Sequence, residues 1–182
     1  ITILGNGSWS SALAKILTDN GHPIHWWMRS PEALEKLRST SHNPHYLTSV
    51  TYDLTLIDLC SNLEEAIQKA DIIIIGIPSA FVVEALQGCA KNCFENKIVL
   101  SAIKGILPNQ NVLLNDYLST HFHLDIDRYG CISGPCHAEE VATEKLSYLT
   151  FASSNIEVSK ETSALFANQY LHTIQSNDVY GV

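Results

Sequence analysis

Short apolar runs alternate along this chain with segments in which apolar residues recur at helical spacing. The runs at residues 1–4, 24–28, 72–75, 98–101, 129–133 and 148–152 predict strands, and several are apolar almost throughout. Such runs are typical of strands that are buried on both faces of a sheet. The alternation of strands with helices predicts an α/β fold, a doubly wound and mostly parallel sheet over residues 1–177.

The helical segments carry their own signals. In the first, Ala12, Leu13, Ile16 and Leu17 recur at helical spacing up to Gly21. Ser30 and Pro31 supply an N-cap and a first-turn proline for the second. Further helices are predicted to start near Leu63, Ala80, Asn109, Ala138 and Ile156, the second of these with Phe81, Val82, Ala85 and Leu86 on one face. Residues 40–60 show no clear period, and the Asn43-Pro44 step within them predicts a turn or loop.

Composition and charge exclude several classes of function. The 182 residues are 46% hydrophobic, which is enough for an ordinary core. A formal net charge of −8 without clustered Lys and Arg argues against nucleic-acid binding. The longest apolar stretch, residues 72–77, is too short to cross a bilayer, so we expect no membrane insertion. Five scattered cysteines are typical of reduced thiols in a cytoplasm, and their spacing predicts no metal site.

The turn after the first strand carries the first chemical signal. Gly5 permits a tight bend, and Gly7 allows the main chain to approach a pyrophosphate at the start of the next helix. Ser10 stands where the third glycine of a Rossmann-type G-x-G-x-x-G pattern is expected, and it is small enough for close helix packing. This context favours dinucleotide binding, and the alternative is a glycine turn without a ligand.

The end of the second strand bears on which dinucleotide is bound. An NAD-specific domain usually has Asp or Glu there for the ribose 2′-hydroxyl, whereas this chain has Arg29. An arginine neutralises a 2′-phosphate or stacks on adenine, so the sequence favours NADP over NAD. The alternative is a solvated surface arginine.

Five separated stretches together resemble one enzyme family. In order and interval they are similar to the N-terminal domain of bacterial NAD(P)-dependent glycerol-3-phosphate dehydrogenases. The resemblance implies reversible hydride transfer between a nicotinamide cofactor and sn-glycerol 3-phosphate, giving dihydroxyacetone phosphate and supplying glycerol 3-phosphate for phospholipid synthesis. The stretches are Gly5-Asn6-Gly7-Ser8-Trp9, Asn43-Pro44-His45-Tyr46-Leu47, Ile77-Pro78-Ser79, Ser101-Ala102-Ile103-Lys104-Gly105 and Gly134-Pro135-Cys136-His137-Ala138-Glu139-Glu140-Val141-Ala142.

The resemblance also implies roles for individual residues. Lys104 falls where cofactor and substrate meet, and a lysine there can pair with phosphate or polarise the reacting oxygen. Cys136 departs from the family, which commonly has Ser or Thr, so its side-chain bond to substrate is in doubt. Neither a nucleophilic Cys136 nor a general base at His137 is favoured. Cofactor contacts are implied for Gly5, Gly7, Ser8, Trp9, Arg29, Tyr46, Lys104 and Ala138, and substrate contacts for Lys104, Gly134 and Cys136.

The family's proton-transferring lysine belongs to a helical substrate domain that follows a stretch resembling residues 178–182. We therefore expect residues 1–177 to be a cofactor domain, residues 178–182 to begin the connection to that domain, and the chain alone to be inactive. The resemblance allows a homodimer of the full-length enzyme. The competing functions are a different two-domain dehydrogenase and a non-catalytic dinucleotide sensor.

Overall fold

The computed structural model describes all 182 residues and is built around one eight-stranded sheet. The strands are β1 (Thr2–Leu4), β2 (Ile24–Trp27), β3 (Ile57–Cys60), β4 (Ile72–Ile75), β5 (Ile98–Ser101), β6 (Tyr129–Ser133), β7 (Ser147–Ala152) and β8 (Leu171–Ser176). Their order is β3-β2-β1-β4-β5-β6-β7-β8, and every pair is parallel except β6 with β7. The predicted doubly wound, mostly parallel sheet is confirmed.

Helices cover both faces of the sheet, because its strands are apolar on both sides. They are α1 (Ser8–Asp19), α2 (Pro31–Thr40), α3 (Leu63–Gln68), α4 (Ser79–Leu86), α5 (Leu114–Phe122), α6 (Ala138–Ala142) and α7 (Ile156–Phe166), with a short 3₁₀ turn at Ile126–Arg128. One core cluster takes buried residues from α1, α2, α6 and α7, and a second takes them from α3, α4 and α5. None of these helices has both the length and the apolar character needed to cross a bilayer.

The strand order reverses between β1 and β4, which are direct neighbours. The helix that follows β1 packs on one face of the sheet, and the helix that follows β4 packs on the other. The two connections therefore separate at the carboxyl ends of these strands and leave a crevice. Open α/β sheets bind ligands at such a switch point.

Two strands, β3 and β8, lie where the apolar pattern predicts none. Strand β3 has an exposed polar residue, Asp58, at its second position, and at only four residues its pattern is too short to recognise. Strand β8 is an edge strand with mixed exposure, so it lacks the continuous apolar character of the central strands. Both strands pair with one neighbour only, which explains their weaker pattern.

The prediction of a helix from Asn109 is wrong. Leu107 and Val112 form an antiparallel bridge, and Asn109 and Asn111 between them have φ angles of 70° and 53°. Asparagine tolerates this left-handed region, so the segment turns back on itself and α5 begins only at Leu114. The predicted apolar face of α4 is also only partly buried. Phe81 is 45% exposed, whereas Val82 is fully buried.

Candidate functional site

The glycine turn after β1 brings the backbone of two connections together. Gly5 has a φ of +112°, and a Cβ atom built on it would lie 3.0 Å from the carbonyl oxygen of Gly76 and 3.1 Å from the nitrogen of Ile77. Any side chain at this position would therefore be strained and would push against the β4–α4 connection. Trp26 holds this turn in place, because its indole N–H donates to the Gly5 carbonyl oxygen at 2.8 Å.

Gly7 is the N-cap of α1 and has ordinary extended angles, with φ −66° and ψ 174°. No side chain caps the helix, and its first turn contains no acidic residue. A Cβ atom at Gly7 would meet nothing within 4 Å, so the space in front of the helix is open. The free N–H groups of the first turn, which begins at Ser8 and Trp9, therefore face an open groove and form an anion-binding position.

Ser10 replaces the third glycine and still packs closely. It is fully buried, and its hydroxyl donates to the carbonyl oxygen of Gly76 at 3.1 Å. A Cβ atom at Gly76 would collide with this hydroxyl, so Gly76 provides the space that a third glycine would otherwise give. The predicted close packing of α1 is thus confirmed. Gly76, in the β4–α4 connection, takes the place of the missing third glycine.

A cleft of about 170 Å³ opens beside the glycine turn. Arg29 comes just after the end of β2 and lines this cleft. Its guanidinium lies 5.4 Å from the centre of the Phe81 ring in a cation–π arrangement. Arg29 forms no ion pair, so its charge is available to a ligand. The lining residues are Gly5, Asn6, Gly7, Trp27, Arg29, Tyr46, Ile77, Pro78, Phe81 and Ala85.

Phe81 was not predicted as a site residue. The helical pattern grouped it with its buried neighbours, but its exposure comes from its place in the first turn of α4, at the mouth of the crevice. A large apolar residue so soon after the carboxyl end of a buried strand was the available signal. Sequence reasoning did predict Arg29 and Tyr46, and the structure brings both to this cleft.

A second cleft, of about 280 Å³, continues the first across the start of α1. It is lined by Gly7, Ser8, Trp9, Gly76, Pro78, Ser79, Ala102, Ile103 and Lys104. Lys104 is exposed and forms no ion pair, and Gly105 behind it has a φ of +77°. The groove therefore holds one cationic side chain towards each end, with the uncapped helix between them.

A smaller space of about 80 Å³ extends the groove beyond Lys104 towards Gly134 and Cys136. The Cys136 thiol donates to the carbonyl oxygen of Tyr148 at 2.9 Å, so its hydrogen is already engaged. A Cβ atom at Gly134 would lie 2.5 Å from the same oxygen, which explains the glycine. The doubt about a Cys136 side-chain bond to substrate thus has a structural reason.

Two further residues of this stretch lie apart from the groove lining. Ala138 is buried at the start of α6, in the core cluster that includes α1. His137 is exposed, and its side chain makes no capping hydrogen bond to α6. The contact of Ala138 with a cofactor stays a prediction, and the structure gives His137 no orienting partner of the kind a general base needs.

A family model described as the NAD-dependent glycerol-3-phosphate dehydrogenase N-terminus matches residues 1–159. A glycerol-3-phosphate dehydrogenase [NAD(P)+] from Streptococcus agalactiae is 35% identical over 187 residues, covering 100% of this chain and 54% of that protein. A protein with the same description from Bacillus cytotoxicus is 33% identical, covering 100% of this chain and 53% of the relative. The chain thus spans about half the length of the relatives it matches.

Solved structures show the same fold. A glycerol-3-phosphate dehydrogenase from Coxiella burnetii superimposes with a TM-score of 0.88 over 97% of this chain and 53% of its own, at 24% identity. An imine reductase from Myxococcus stipitatus, solved with NAD+, gives a TM-score of 0.65 over 96% of this chain and 54% of its own, at 14% identity. At these identities the likeness concerns the fold alone.

Proposed function

Because the chain belongs to the family of NAD-dependent glycerol-3-phosphate dehydrogenase N-termini, we propose that it holds NADP or NAD in the groove across α1. We propose further that it is the cofactor-binding part of an enzyme that interconverts sn-glycerol 3-phosphate and dihydroxyacetone phosphate. One observation carries this proposal: a continuous groove joins Arg29, the uncapped start of α1 and Lys104.

The residues present fit a dinucleotide. The open space at Gly7 and the free N–H groups of α1 suit a pyrophosphate. The flat pair of Arg29 and Phe81, with Tyr46 nearby, suits an adenosine end that carries a 2′-phosphate. NADP is therefore favoured over NAD, and the nicotinamide end is expected towards Lys104.

A bound nicotinamide supplies the hydride acceptor or donor. This chain's own contribution at that end is Lys104, whose ammonium can pair with substrate phosphate or stabilise charge on the reacting oxygen. Gly134 and Cys136 border the same space, and main-chain contacts from them fit a small phosphorylated substrate. A non-catalytic sensor needs no cation beside the nicotinamide end, so Lys104 favours the enzyme.

The remaining parts of the proposal concern the whole protein. We propose that residues 1–177 form the cofactor domain and that residues 178–182 begin the connection to a helical substrate domain containing the proton-transferring lysine. The relatives, about twice as long as this chain, support that division. A cytoplasmic location fits the five free thiols, and the product would serve phospholipid synthesis. A homodimer is part of the same proposal.

The test of this function uses the polypeptide encoded by the complete gene. Lys104→Ala should lower kcat/KM for dihydroxyacetone phosphate by about a hundredfold or more, the typical loss of one electrostatic stabiliser. Reduction is followed through NADPH absorbance. Lys91→Ala also removes an exposed charge, outside the groove, and should leave the rate unchanged. If the unmutated enzyme does not reduce dihydroxyacetone phosphate, the proposed activity is wrong.

A further inference from the structure

One buried amide joins the two loops that form the first cleft. Asn43 lies in the loop between α2 and β3 and has no exposed surface. Its side-chain nitrogen donates to the carbonyl oxygen of Asn6 at 3.0 Å and to the hydroxyl of Ser11 at 2.8 Å. Its side-chain oxygen accepts from the backbone nitrogens of His45 at 3.1 Å and Tyr46 at 3.3 Å.

These partners fix the orientation of the Asn43 amide. The Asn6 carbonyl oxygen can only accept, and the backbone nitrogens of His45 and Tyr46 can only donate. A flipped amide would set oxygen against oxygen and nitrogen against nitrogen, so only one orientation satisfies the network. Both donor hydrogens and both acceptor positions of the amide are used, which leaves no capacity for contacts elsewhere.

The two ends of this network belong to the binding groove. Asn6 stands between the two glycines of the turn that would receive the pyrophosphate. Tyr46 lines the same cleft as Arg29. Asn43 itself has no exposed surface and is not among the residues that line the cleft.

We infer that Asn43 is a positioning residue for dinucleotide binding, which holds the glycine turn and the Tyr46 loop in their binding arrangement before a ligand arrives. The inference rests on the proposed function. A turn and a loop that are already fixed lose less conformational freedom on binding, and supporting hydrogen bonds are what keep a site in its productive geometry. Removing the amide should therefore reduce affinity without removing any atom that contacts the ligand.

Two substitutions separate the halves of the network. Asn43→Ala removes all four hydrogen bonds. Asn43→Asp keeps the acceptor for His45 and Tyr46 but loses the donors to Asn6 and Ser11. Each variant should raise the Kd for NADPH about tenfold or more, since one lost hydrogen bond corresponds to about a factor of ten in an equilibrium.

A pH profile gives a readout that simple loss of stability would not move. In Asn43→Asp the introduced carboxyl is buried, and burial raises the pKa of such a group. Once protonated, it can donate to the Asn6 carbonyl oxygen again. The ratio of its Kd for NADP+ to that of the unmutated chain should therefore fall towards one as the pH is lowered, whereas the ratio for Asn43→Ala should stay constant.

Asn168, in the loop before the edge strand β8, provides a matched control. Its side-chain oxygen accepts from the backbone nitrogens of Tyr170 and Leu171, at 3.1 and 2.9 Å, and its nitrogen donates to Asn20. Asn168→Asp thus makes the same chemical change away from the groove and should leave the Kd unchanged. Folding of every variant is checked by circular dichroism, and affinities are measured well below each unfolding midpoint.

The outcomes are distinguishable. Binding by folded Asn43→Ala and Asn43→Asp within about twofold of the unmutated chain would overturn the inference, as would an equal loss in Asn168→Asp. If neither Asn43 variant folds, Ser11→Ala decides, because it removes one partner of the amide. A Kd several times higher supports the inference, and an unchanged Kd overturns it. If the unmutated chain binds no dinucleotide, the proposed function fails and the inference fails with it.

Discussion

At the scale of single residues, the groove concentrates positive charge that the rest of the chain lacks. The formal net charge is −8, yet Arg29 and Lys104 stand unpaired near the two ends of the groove. Fixed local donors of this kind act at short range, where screening by salt is weak. An acidic protein can therefore hold a polyanionic ligand at one place.

Arg29→Ala should narrow the preference for NADPH over NADH. The substitution removes the cation placed to meet a 2′-phosphate, so the Kd for NADPH should rise by about tenfold while that for NADH changes little. Both constants are measured by isothermal titration at one salt concentration. Arg128→Ala is the control, since Arg128 contacts the Asn96 carbonyl oxygen away from the groove. Equal affinities for the two cofactors in the unmutated chain would rule out the assigned role.

How much of the site the sequence could predict depends on the type of residue. Gly5, Gly7 and Arg29 follow strand ends at fixed intervals, so their places could be derived from the pattern. Asn43 could not, because its role depends on contacts between segments 32 to 37 residues apart. The place of Phe81 in the cleft could not be predicted either, because its helical spacing groups it with buried residues.

At the scale of elements, α1 is held against the β4–α4 connection by the fit of Ser10 to Gly76. Gly76→Ala should lower the free energy of unfolding by about 1–3 kcal/mol, the usual cost of overpacking a tight contact. Urea unfolding measures this loss. Adding Ser10→Gly removes the colliding hydroxyl and should restore part of it. Gly7→Ala, where nothing lies within 4 Å, should cost less, because it loses only the preference of the N-cap position for glycine over alanine. Equal losses for Gly76→Ala and Gly7→Ala would refute the packing argument.

The loop before β3 is fastened to α1 by Tyr52, whose buried hydroxyl donates to the Ser11 carbonyl oxygen at 3.2 Å. Burial raises the pKa of Tyr52. A raised folded-state pKa gives stability that is present below the unfolded-state pKa, about 10, and lost as the pH rises above it. Between about pH 9 and 11 this loss should reach about 1.4 kcal/mol.

Tyr52→Phe should therefore be about 1 kcal/mol less stable than the unmutated chain at about pH 9, because it lacks the hydrogen bond. Near pH 11 the difference should close, since phenylalanine has no proton to lose. Urea unfolding under reducing conditions at both pH values measures this. The half-exposed Tyr148 gives the control Tyr148→Phe, with no such change. A gap that is the same at both pH values would contradict the burial of an un-ionised Tyr52.

The elements themselves could be predicted where they are apolar on both faces. The five strands β1, β2, β4, β5 and β6 all follow runs that predict strands, and several of these runs are apolar almost throughout. The edge strands β3 and β8 have polar positions, and the turn at residues 107–112 depends on left-handed asparagines that a helical pattern does not register. The structure of these segments depends on edge position, for β3 and β8, and on backbone conformation, for residues 107–112, rather than on hydrophobicity.

At the scale of the whole molecule, the order of the strands determines where the groove lies. Helices α1 and α4 leave neighbouring strands towards opposite faces, and the loop that carries Asn43 closes over the gap from the side of β2. The glycine turn, Arg29, Tyr46 and Lys104 come from separate connections but meet at the one edge where the parallel strands end. Together these connections form the groove in which we propose that a dinucleotide binds across α1.

Titration of NADPH into the unmutated chain and into Gly7→Val is the decisive test of dinucleotide binding across α1. A side chain at Gly7 has room in the folded protein, since nothing lies within 4 Å of its Cβ position, but it would occupy the space in which the backbone meets the pyrophosphate. We expect a single-site binding isotherm for the unmutated chain and no measurable heat for Gly7→Val, with matching circular dichroism spectra. Unchanged affinity in a folded Gly7→Val, or no binding by the unmutated chain, would show that a dinucleotide does not bind across α1.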